Sequence, residues 1–188
     1  MSDIFQENLI MGQAGENVVA RYLIYERGFS MLPVYQVLQG NYKGPRFYTK
    51  CGEKVAPDAL GFKGGSVFWF EIKTKARFSW YRKTKTWQTG IDRSHYHDYL
   101  DISTMHPFPL WLLFFHTQHE THEGDGKCPV GLYGNDIQEL SKCIAHEYTK
   151  NTPAQYGKCG MVYWNQASLK PIATIEEIMK HEKKEVRS

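Results

Sequence analysis

Apolar residues along the chain recur with two spacings, one typical of helices and one typical of strands. Val19, Ala20 and Leu23 follow helical spacing, and Gly28 supplies a stop signal after them. On this basis helices are predicted for residues 12–26, 89–103 and 175–184, and a helix or an extended helical insertion for residues 137–148. Helical segments therefore stand near both ends of the chain and in its second half.

Short runs rich in Val, Leu, Phe, Tyr and Trp predict the strands. They cover residues 29–38, 57–62, 66–74, 110–117, 130–133 and 161–164. The second and third strands are separated only by Lys63-Gly64-Gly65, which predicts a hairpin turn. Residues 39–54 are predicted as a loop or a loose hairpin, and residues 119–127 as a polar loop. The order of elements predicts one α/β domain over residues 1–188, with a central mixed β-sheet flanked by helices.

Composition and charge narrow the class of protein only a little. The 188 residues are 41% hydrophobic and 23% charged, with a formal net charge of +3, as in ordinary globular proteins. The longest apolar run, near residues 109–115, is too short to span a bilayer, so no membrane partner is expected. The first twelve residues contain acids and no apolar core, so no signal peptide is expected. The four cysteines form no CxxC pair, which favours reduced thiols in a cytoplasmic protein.

Candidate chemistry lies at the end of the strand predicted over residues 66–74. Side chains alternate across a strand, so Phe70 and Ile72 share one face while Glu71 and Lys73 share the other. The hairpin can bring Asp58 alongside Glu71. Two carboxylates that close repel each other unless a cation lies between them. Oxygen ligands select Mg²⁺ or Mn²⁺, and such a metal can activate water and neutralise charge on a phosphodiester.

The same residues resemble the signature of the PD-(D/E)XK nuclease superfamily, namely Pro57-Asp58 followed by Glu71-Ile72-Lys73. The resemblance implies a restriction-endonuclease-like core and Mg²⁺-dependent (or Mn²⁺-dependent) hydrolysis of DNA phosphodiesters. It also implies that Asp58 and Glu71 hold the metal with the Ile72 carbonyl as a further ligand, and that Lys73 orients the attacking water. The alternative is a surface hairpin in which Glu71 and Lys73 form an ordinary ion pair on one face.

Glu16 is a further candidate for the metal site. It lies at helical spacing from the apolar residues of the first helix, where a carboxylate is costly unless it is paired or binds metal. The run Gly12-Gln13-Ala14-Gly15-Glu16 resembles the first helix of Holliday-junction resolvases and related superfamily members, in which the helix glutamate lines the metal site. The alternative is an acid near the start of a helix, stabilised by the helix dipole.

A basic and aromatic stretch, residues 73–93, follows the candidate site. Basic side chains neutralise phosphates, and flat aromatic rings stack on exposed bases. Gln88 lies fifteen residues after Lys73 and resembles a polar residue that many superfamily members place on the helix after this strand. The candidate nucleic-acid-binding residues are Lys75, Arg77, Arg82, Lys83, Lys85, Gln88 and Arg93. The alternative is a solvated loop with a few core aromatics.

These observations favour a metal-dependent nuclease with DNA as its partner. The competing hypothesis is a nucleic-acid-binding module on a nuclease-like scaffold that does not cleave. Residues 118–160 are expected to be a family-specific insertion. The sequence leaves open a homodimer, the structure or sequence of the DNA, and the choice between endonuclease and exonuclease.

Overall fold

The computed structural model describes residues 3–34, 45–50, 52–119, 121–122, 126–149 and 160–180. The helices of these residues are α1 (Asp3–Tyr25), α2 (Arg93–Met105), α3 (Ile137–Ser141) and α4 (Ile175–Met179), with a 3-10 turn over Gln166–Ser168. None of the helices in these ranges is long and apolar enough to cross a membrane.

The strands belong to two main sheets and two small hairpins. The first seven strands are β1 (Ser30–Pro33), β2 (Arg46–Thr49), β3 (Gly52–Val55), β4 (Ala59–Lys63), β5 (Ser66–Lys75), β6 (Ser79–Tyr81) and β7 (Thr86–Asp92). The others are β8 (Leu110–His116), β9 (Thr121–His122), β10 (Gly126–Lys127), β11 (Gly131–Asp136), β12 (Ile144–Tyr148), β13 (Met161–Asn165) and β14 (Lys170–Ala173).

The central sheet has six strands in the order β1-β4-β5-β8-β11-β14. The β5–β8 pair is parallel and its other pairs are antiparallel, so the sheet is mixed. A second, antiparallel sheet has the order β12-β13-β7-β6, and β2–β3 and β9–β10 form separate hairpins. The predicted α/β fold with a central mixed sheet flanked by helices is therefore confirmed.

The two faces of β5 pack against different layers. Phe70 and Ile72 belong to one buried cluster with Val19 of α1 and Ile178 of α4. Trp69, on the opposite face, belongs to a second cluster with residues of α2, α3 and the second sheet. Two apolar layers thus cover the central sheet, and β5 lies between them with its alternating side chains as predicted.

The turn between β4 and β5 confirms the predicted hairpin. Lys63 pairs with Ser66, and Gly64 and Gly65 between them have φ angles of 57° and 79°. Glycine takes such left-handed angles without a steric penalty, as this tight turn requires.

The helix predicted for residues 89–103 begins too early. Residues 89–92 belong to strand β7, and α2 starts only at Arg93. Gln88, Thr89 and Gly90 pair with Asn165, Trp164 and Tyr163 of β13. Thr and Gly are weak helix formers, so the pairing with a distant strand decides the conformation.

Several other boundaries also differ from the predictions. The segment 137–148 is not one helix, because α3 ends at Ser141 and β12 pairs with β13. Strand β11 is longer than predicted and belongs to the central sheet, so the range 118–160 contains part of that sheet. The loose hairpin within 39–54 is β2–β3, and the loop 119–127 contains the hairpin β9–β10. The predicted ends of the strand 29–38 and of the helix 175–184 lie outside the described residues.

Candidate active site

Asp58 caps an open edge of strand β5. The pairing of β4 with β5 ends at Ala59 and Phe70, yet β5 continues to Lys75. Beyond that point the backbone N–H of Ile72 donates a hydrogen bond to Oδ2 of Asp58, at 2.8 Å. In an antiparallel arrangement the N–H and C=O of one residue point toward the same neighbour. The carbonyl of Ile72 therefore points to the side of β5 on which Asp58 lies.

Glu71 and Lys73 form an ion pair on the opposite face of β5 from Ile72. The ammonium of Lys73 contacts Oε1 of Glu71, and the Glu71 side chain is only 1% exposed while that of Lys73 is 31% exposed. The side chains of Asp58 and Tyr99 also lie close to the Glu71 carboxylate, because burial and then the charge of Glu71 raise the pKa of both. A buried carboxylate beside a second carboxylate is costly, and this burial distinguishes the pair from an ordinary ion pair on a solvated hairpin.

The charges of the site act on one another. Burial, and then the negative charge of Glu71, raises the pKa of Asp58 to about 7. Burial, and then the charge of Asp58, raises the pKa of Glu16 to about 7. Burial lowers the pKa of Lys73, but the carboxylates of Glu71 and Asp58 outweigh that effect and hold it above its usual range. Three carboxyl groups and one ammonium thus form a single electrostatic cluster.

Helix α1 brings Glu16 to this cluster by packing closely on β5. A Cβ atom at Gly15 would lie 1.9 Å from Oγ1 of Thr74, so only glycine allows this approach. Glu16, the next residue, is half-buried at the same level. Its predicted place beside the apolar stripe therefore agrees with the charge coupling to Asp58 and Lys73.

The donor atoms of the site are all oxygens. No group of three or more His, Cys, Asp or Glu side chains among the described residues is arranged to hold a metal by itself. The carboxylates of Asp58 and Glu71 form a pair, and the Ile72 carbonyl points to their side of the strand. A hard cation that keeps several of its water molecules, such as Mg²⁺ or Mn²⁺, fits such a set.

Two residues of α2 also belong to this environment. Burial, and then the charges of Glu71 and Asp58, hold the pKa of Tyr99 well above its usual value. Burial, and then the charge of Lys73, lowers the pKa of His95. The two positions are four apart in the sequence, so they share a helix face. Neither residue was among the candidate site residues predicted from the sequence, although their i, i+4 spacing within a predicted helix was an available signal.

The basic residues of the stretch 73–93 lie in different places. Arg82, Lys83 and Lys85 are exposed in the turn between β6 and β7. Arg77 is exposed shortly after β5. Lys75 lies within β5, opposite His116, and burial followed by the charge of Lys73 lowers its pKa to about 8. Only part of the predicted basic set therefore shares one surface.

Arg93 and Gln88 differ from the rest of that set. Arg93 begins α2 and forms an ion pair with Glu147. The resemblance placed Gln88 on a helix, but the residue lies within β7, where its side chain is 2% exposed. Its Nε2 donates a hydrogen bond to Oδ1 of Asn165, at 2.8 Å. The side chain of Gln88 is therefore occupied inside the second sheet.

Comparisons with known proteins add a likeness in structure alone. No protein-family model and no curated protein matches the sequence. Among solved structures, the chain is similar to Hjc, a Holliday junction resolvase from the archaeal hyperthermophile Archaeoglobus fulgidus, with a TM-score of 0.48 and 8% identity. The likeness covers 84% of this chain and 90% of that one. Any function must accordingly be argued from the residues of the site.

Proposed function

We propose that this protein is a metal-dependent nuclease that hydrolyses DNA phosphodiester bonds. The observation that carries the proposal is the set formed by Asp58, Glu71 and Lys73 at the open edge of β5. The buried carboxylate of Glu71 lies near the half-buried carboxylate of Asp58, and the ammonium of Lys73 lies against Glu71. Burial, and then the charge of Glu71, keep the pKa of Asp58 raised to about 7 despite the nearby charge of Lys73.

The residues have distinct roles in this proposal. Asp58, Glu71 and the Ile72 carbonyl hold Mg²⁺ or Mn²⁺, and Glu16 supports it directly or through a water molecule. A divalent ion bound there lowers the pKa of water and neutralises charge on the phosphodiester. Lys73 orients the attacking water and stabilises the negative charge that develops on the phosphate. Burial of the carboxylates strengthens each of these electrostatic interactions.

DNA binding is assigned to basic residues of the segment that follows Lys73 in the sequence. Arg82, Lys83 and Lys85 are exposed at one turn and are available to neutralise phosphates. Arg77 and Lys75 follow Lys73 on the same segment and extend this charge toward the site. Gln88 is left out because its side chain is buried and hydrogen-bonded within the second sheet.

The ion pair between Lys73 and Glu71 favours a second candidate function. It partly neutralises the site without a metal, as a structural ion pair would. In that case the protein binds nucleic acid on a nuclease-like scaffold and does not cleave it. The two candidates differ in one respect that is simple to measure, namely whether Lys73 is required for turnover.

A panel of labelled DNAs tests the proposal. Duplex, single-stranded and branched DNA are each incubated with Mg²⁺, Mn²⁺ or Ca²⁺. The proteins are wild type, Lys73→Ala and the control Lys142→Ala. The Lys142 side chain is 67% exposed at the end of α3. Wild type and the control should cleave in Mg²⁺ or Mn²⁺. Lys73→Ala should not cleave, yet it should bind DNA in Ca²⁺ as wild type does. Cleavage that survives Lys73→Ala would contradict the assignment, and binding without any cleavage would support the second candidate.

A further inference from the structure

A pocket of about 260 Å³ lies between the β6–β7 hairpin and the 3-10 turn. Its walls combine aromatic rings, side-chain amides and a cation. The residues that line it include Trp80, Lys85, Thr86, Trp87, Asn165 and Gln166. The rings of Trp80 and Trp87 pack edge to face across the two strands, with centroids 4.9 Å apart and planes at 63°. Both tryptophans are half-buried, so each indole keeps part of its surface open. We refer to this feature as the hairpin pocket.

A buried network orients the amide of Asn165 in this pocket. Its Oδ1 accepts hydrogen bonds from Oγ1 of Thr86, at 3.0 Å, and from Nε2 of Gln88, at 2.8 Å. Gln88 is 2% exposed, so the network is anchored inside the second sheet. Because the oxygen of Asn165 is used twice, its NH₂ group is the part left to donate. The hairpin pocket therefore offers a fixed donor beside flat apolar rings.

Positive charge lines the entrance of the hairpin pocket. Lys85 is one of its walls, with a left-handed φ of 50°. Arg82 and Lys83 are exposed in the same four-residue turn. Aromatic rings stack on bases, amides bond to base edges, and cations bind phosphates. All three kinds of group meet here within one short segment.

We propose that the hairpin pocket holds one unpaired nucleotide of a nucleic-acid strand. Its base stacks on Trp80 and Trp87, an acceptor atom on the base edge bonds to the NH₂ of Asn165, and Lys85 contacts its phosphate. This inference rests on the nucleic-acid binding proposed above and adds the class of substrate. A base within a duplex must first be unstacked and unpaired at a cost in free energy, so a base that is already unpaired is favoured in such a pocket.

Strand β7 links the hairpin pocket to the candidate active site. Thr86, at one end, lines the pocket, and Asp92, at the other end, lies about 20 Å away along a strand of this length. The charge of Asp92 raises the pKa of Lys75 and of His95, and the charge of Lys73 lowers both. A DNA strand with a rise of about 3.4 Å per nucleotide covers this distance in about six nucleotides. The favoured substrate thus carries an unpaired nucleotide as well as the bond to be cleaved.

Fluorescence anisotropy in Ca²⁺ tests the proposal. The probes are a fluorescein-labelled oligothymidylate of about 12 nucleotides and a blunt duplex with the same label. The variants are Trp80→Leu, which removes a stacking surface, and Asn165→Asp, which keeps the acceptor for Thr86 and Gln88 but replaces the NH₂ donor by a carboxylate oxygen. Trp111→Leu, on the α1 face of the central sheet, is the matched control for loss of a half-buried tryptophan. Thermal unfolding of each variant verifies that it is folded.

Trp80→Leu and Asn165→Asp should each lower the affinity for the oligothymidylate by about tenfold or more. The affinity of Trp80→Leu for the blunt duplex should change by no more than about twofold, because that binding depends on phosphates. Asn165→Asp adds a negative charge beside Lys85 and should weaken duplex binding as well, but by less than it weakens oligothymidylate binding. Trp111→Leu should bind both probes as wild type does. Unchanged oligothymidylate affinity in both variants would overturn the inference, as would equal losses for the two probes. Since binding is measured without turnover, a failure to cleave DNA would contradict the nuclease proposal alone.

Discussion

Asp58 shows most clearly that the site disfavours negative charge and that a bound cation would relieve this. Its carboxyl group is buried near Glu71, and both conditions favour the neutral form, which is why its pKa is about 7. The hydrogen bond from the Ile72 amide and the nearby Lys73 act in the opposite direction but do not prevail. A fold that needed only stability has no reason to keep two acids together there. A bound cation gives this arrangement a purpose.

The raised pKa values predict how stability depends on pH without a metal. The pKa values of Asp58 and Glu16 lie near 7 in the folded protein and at 3.8 and 4.5 when unperturbed. The folded state therefore binds more protons than the unfolded state between about pH 4 and about pH 7. The contribution of these two groups to the free energy of unfolding should fall as pH rises through this window and change little above it.

Urea unfolding in EDTA at several pH values measures this dependence. Asp58→Asn should make the fall with pH shallower, because the amide cannot lose a proton and still accepts the Ile72 hydrogen bond. Added Mg²⁺ should restore much of the lost stability of wild type near pH 8 but not that of the variant. Parallel pH profiles for the two proteins, with equal responses to Mg²⁺, would show that Asp58 does not carry the perturbed charge.

At the scale of elements, the contact between α1 and β5 positions Glu16. A methyl group at Gly15 would overlap the side chain of Thr74, so Gly15→Ala must move the helix or the strand. Such overpacking typically costs about 1–3 kcal/mol, and the displaced helix should also lower activity at limiting Mg²⁺. Urea unfolding and cleavage assays measure the two effects.

Gly12 provides a matched control on the same helix. A Cβ atom there would meet nothing within 4 Å, so Gly12→Ala should be neutral or stabilise the helix by up to about 1 kcal/mol. If Gly15→Ala behaves like Gly12→Ala in both assays, the contact between Gly15 and Thr74 does not position Glu16.

The basic turn between β6 and β7 predicts the salt dependence of DNA binding. If Arg82, Lys83 and Lys85 each contact a phosphate, replacing all three by Ala should lower the slope of log K against log [salt] by roughly 0.7 to 0.9 per contact. The chemical step at saturating DNA should change little. Replacing the exposed lysines Lys63, Lys142 and Lys180 is the control, since it removes the same charge elsewhere. Equal slopes for the two triple variants would place the DNA on another surface.

Elements with a local signal were predicted well, and elements that depend on distant pairing were not. The β4–β5 hairpin is encoded by its own glycines and apolar runs, and β8 by its continuous apolar sequence. Strand β7 has no such signal, because its conformation depends on pairing with β13 about 70 residues later in the chain. Strand β12 was predicted as part of a helix, although it pairs with β13, which follows closely in the sequence, and β14 was not predicted at all.

At the scale of the whole molecule, the candidate site unites segments that are far apart in sequence. The charges of Asp58, Glu71 and Lys73 could be grouped beforehand, since a hairpin of predictable geometry connects them. Glu16 was added from its position beside the apolar residues of the first helix and from the resemblance to a helix of known nucleases. Tyr99 and His95 lie inside the predicted helix, but they could not be assigned to the site because their approach to Glu71 and Lys73 depends on how α2 packs in the fold. The second sheet, which buries Gln88 and forms the hairpin pocket, was not predicted because it depends on the pairing of β7 with β13.

The dependence of cleavage on Mg²⁺ in wild type and in Asp58→Asn tests the central claim most directly. Single-turnover rates are measured on one DNA that wild type cleaves, over a range of Mg²⁺ concentrations, with Asp101→Asn as the control because Asp101 is 54% exposed in a surface ion pair. Asp58→Asn should lower the rate by about a hundredfold or more, since metal-based charge stabilisation is worth several kcal/mol. Asp101→Asn should match wild type. Equal rates and equal Mg²⁺ dependence for wild type and Asp58→Asn would contradict the account.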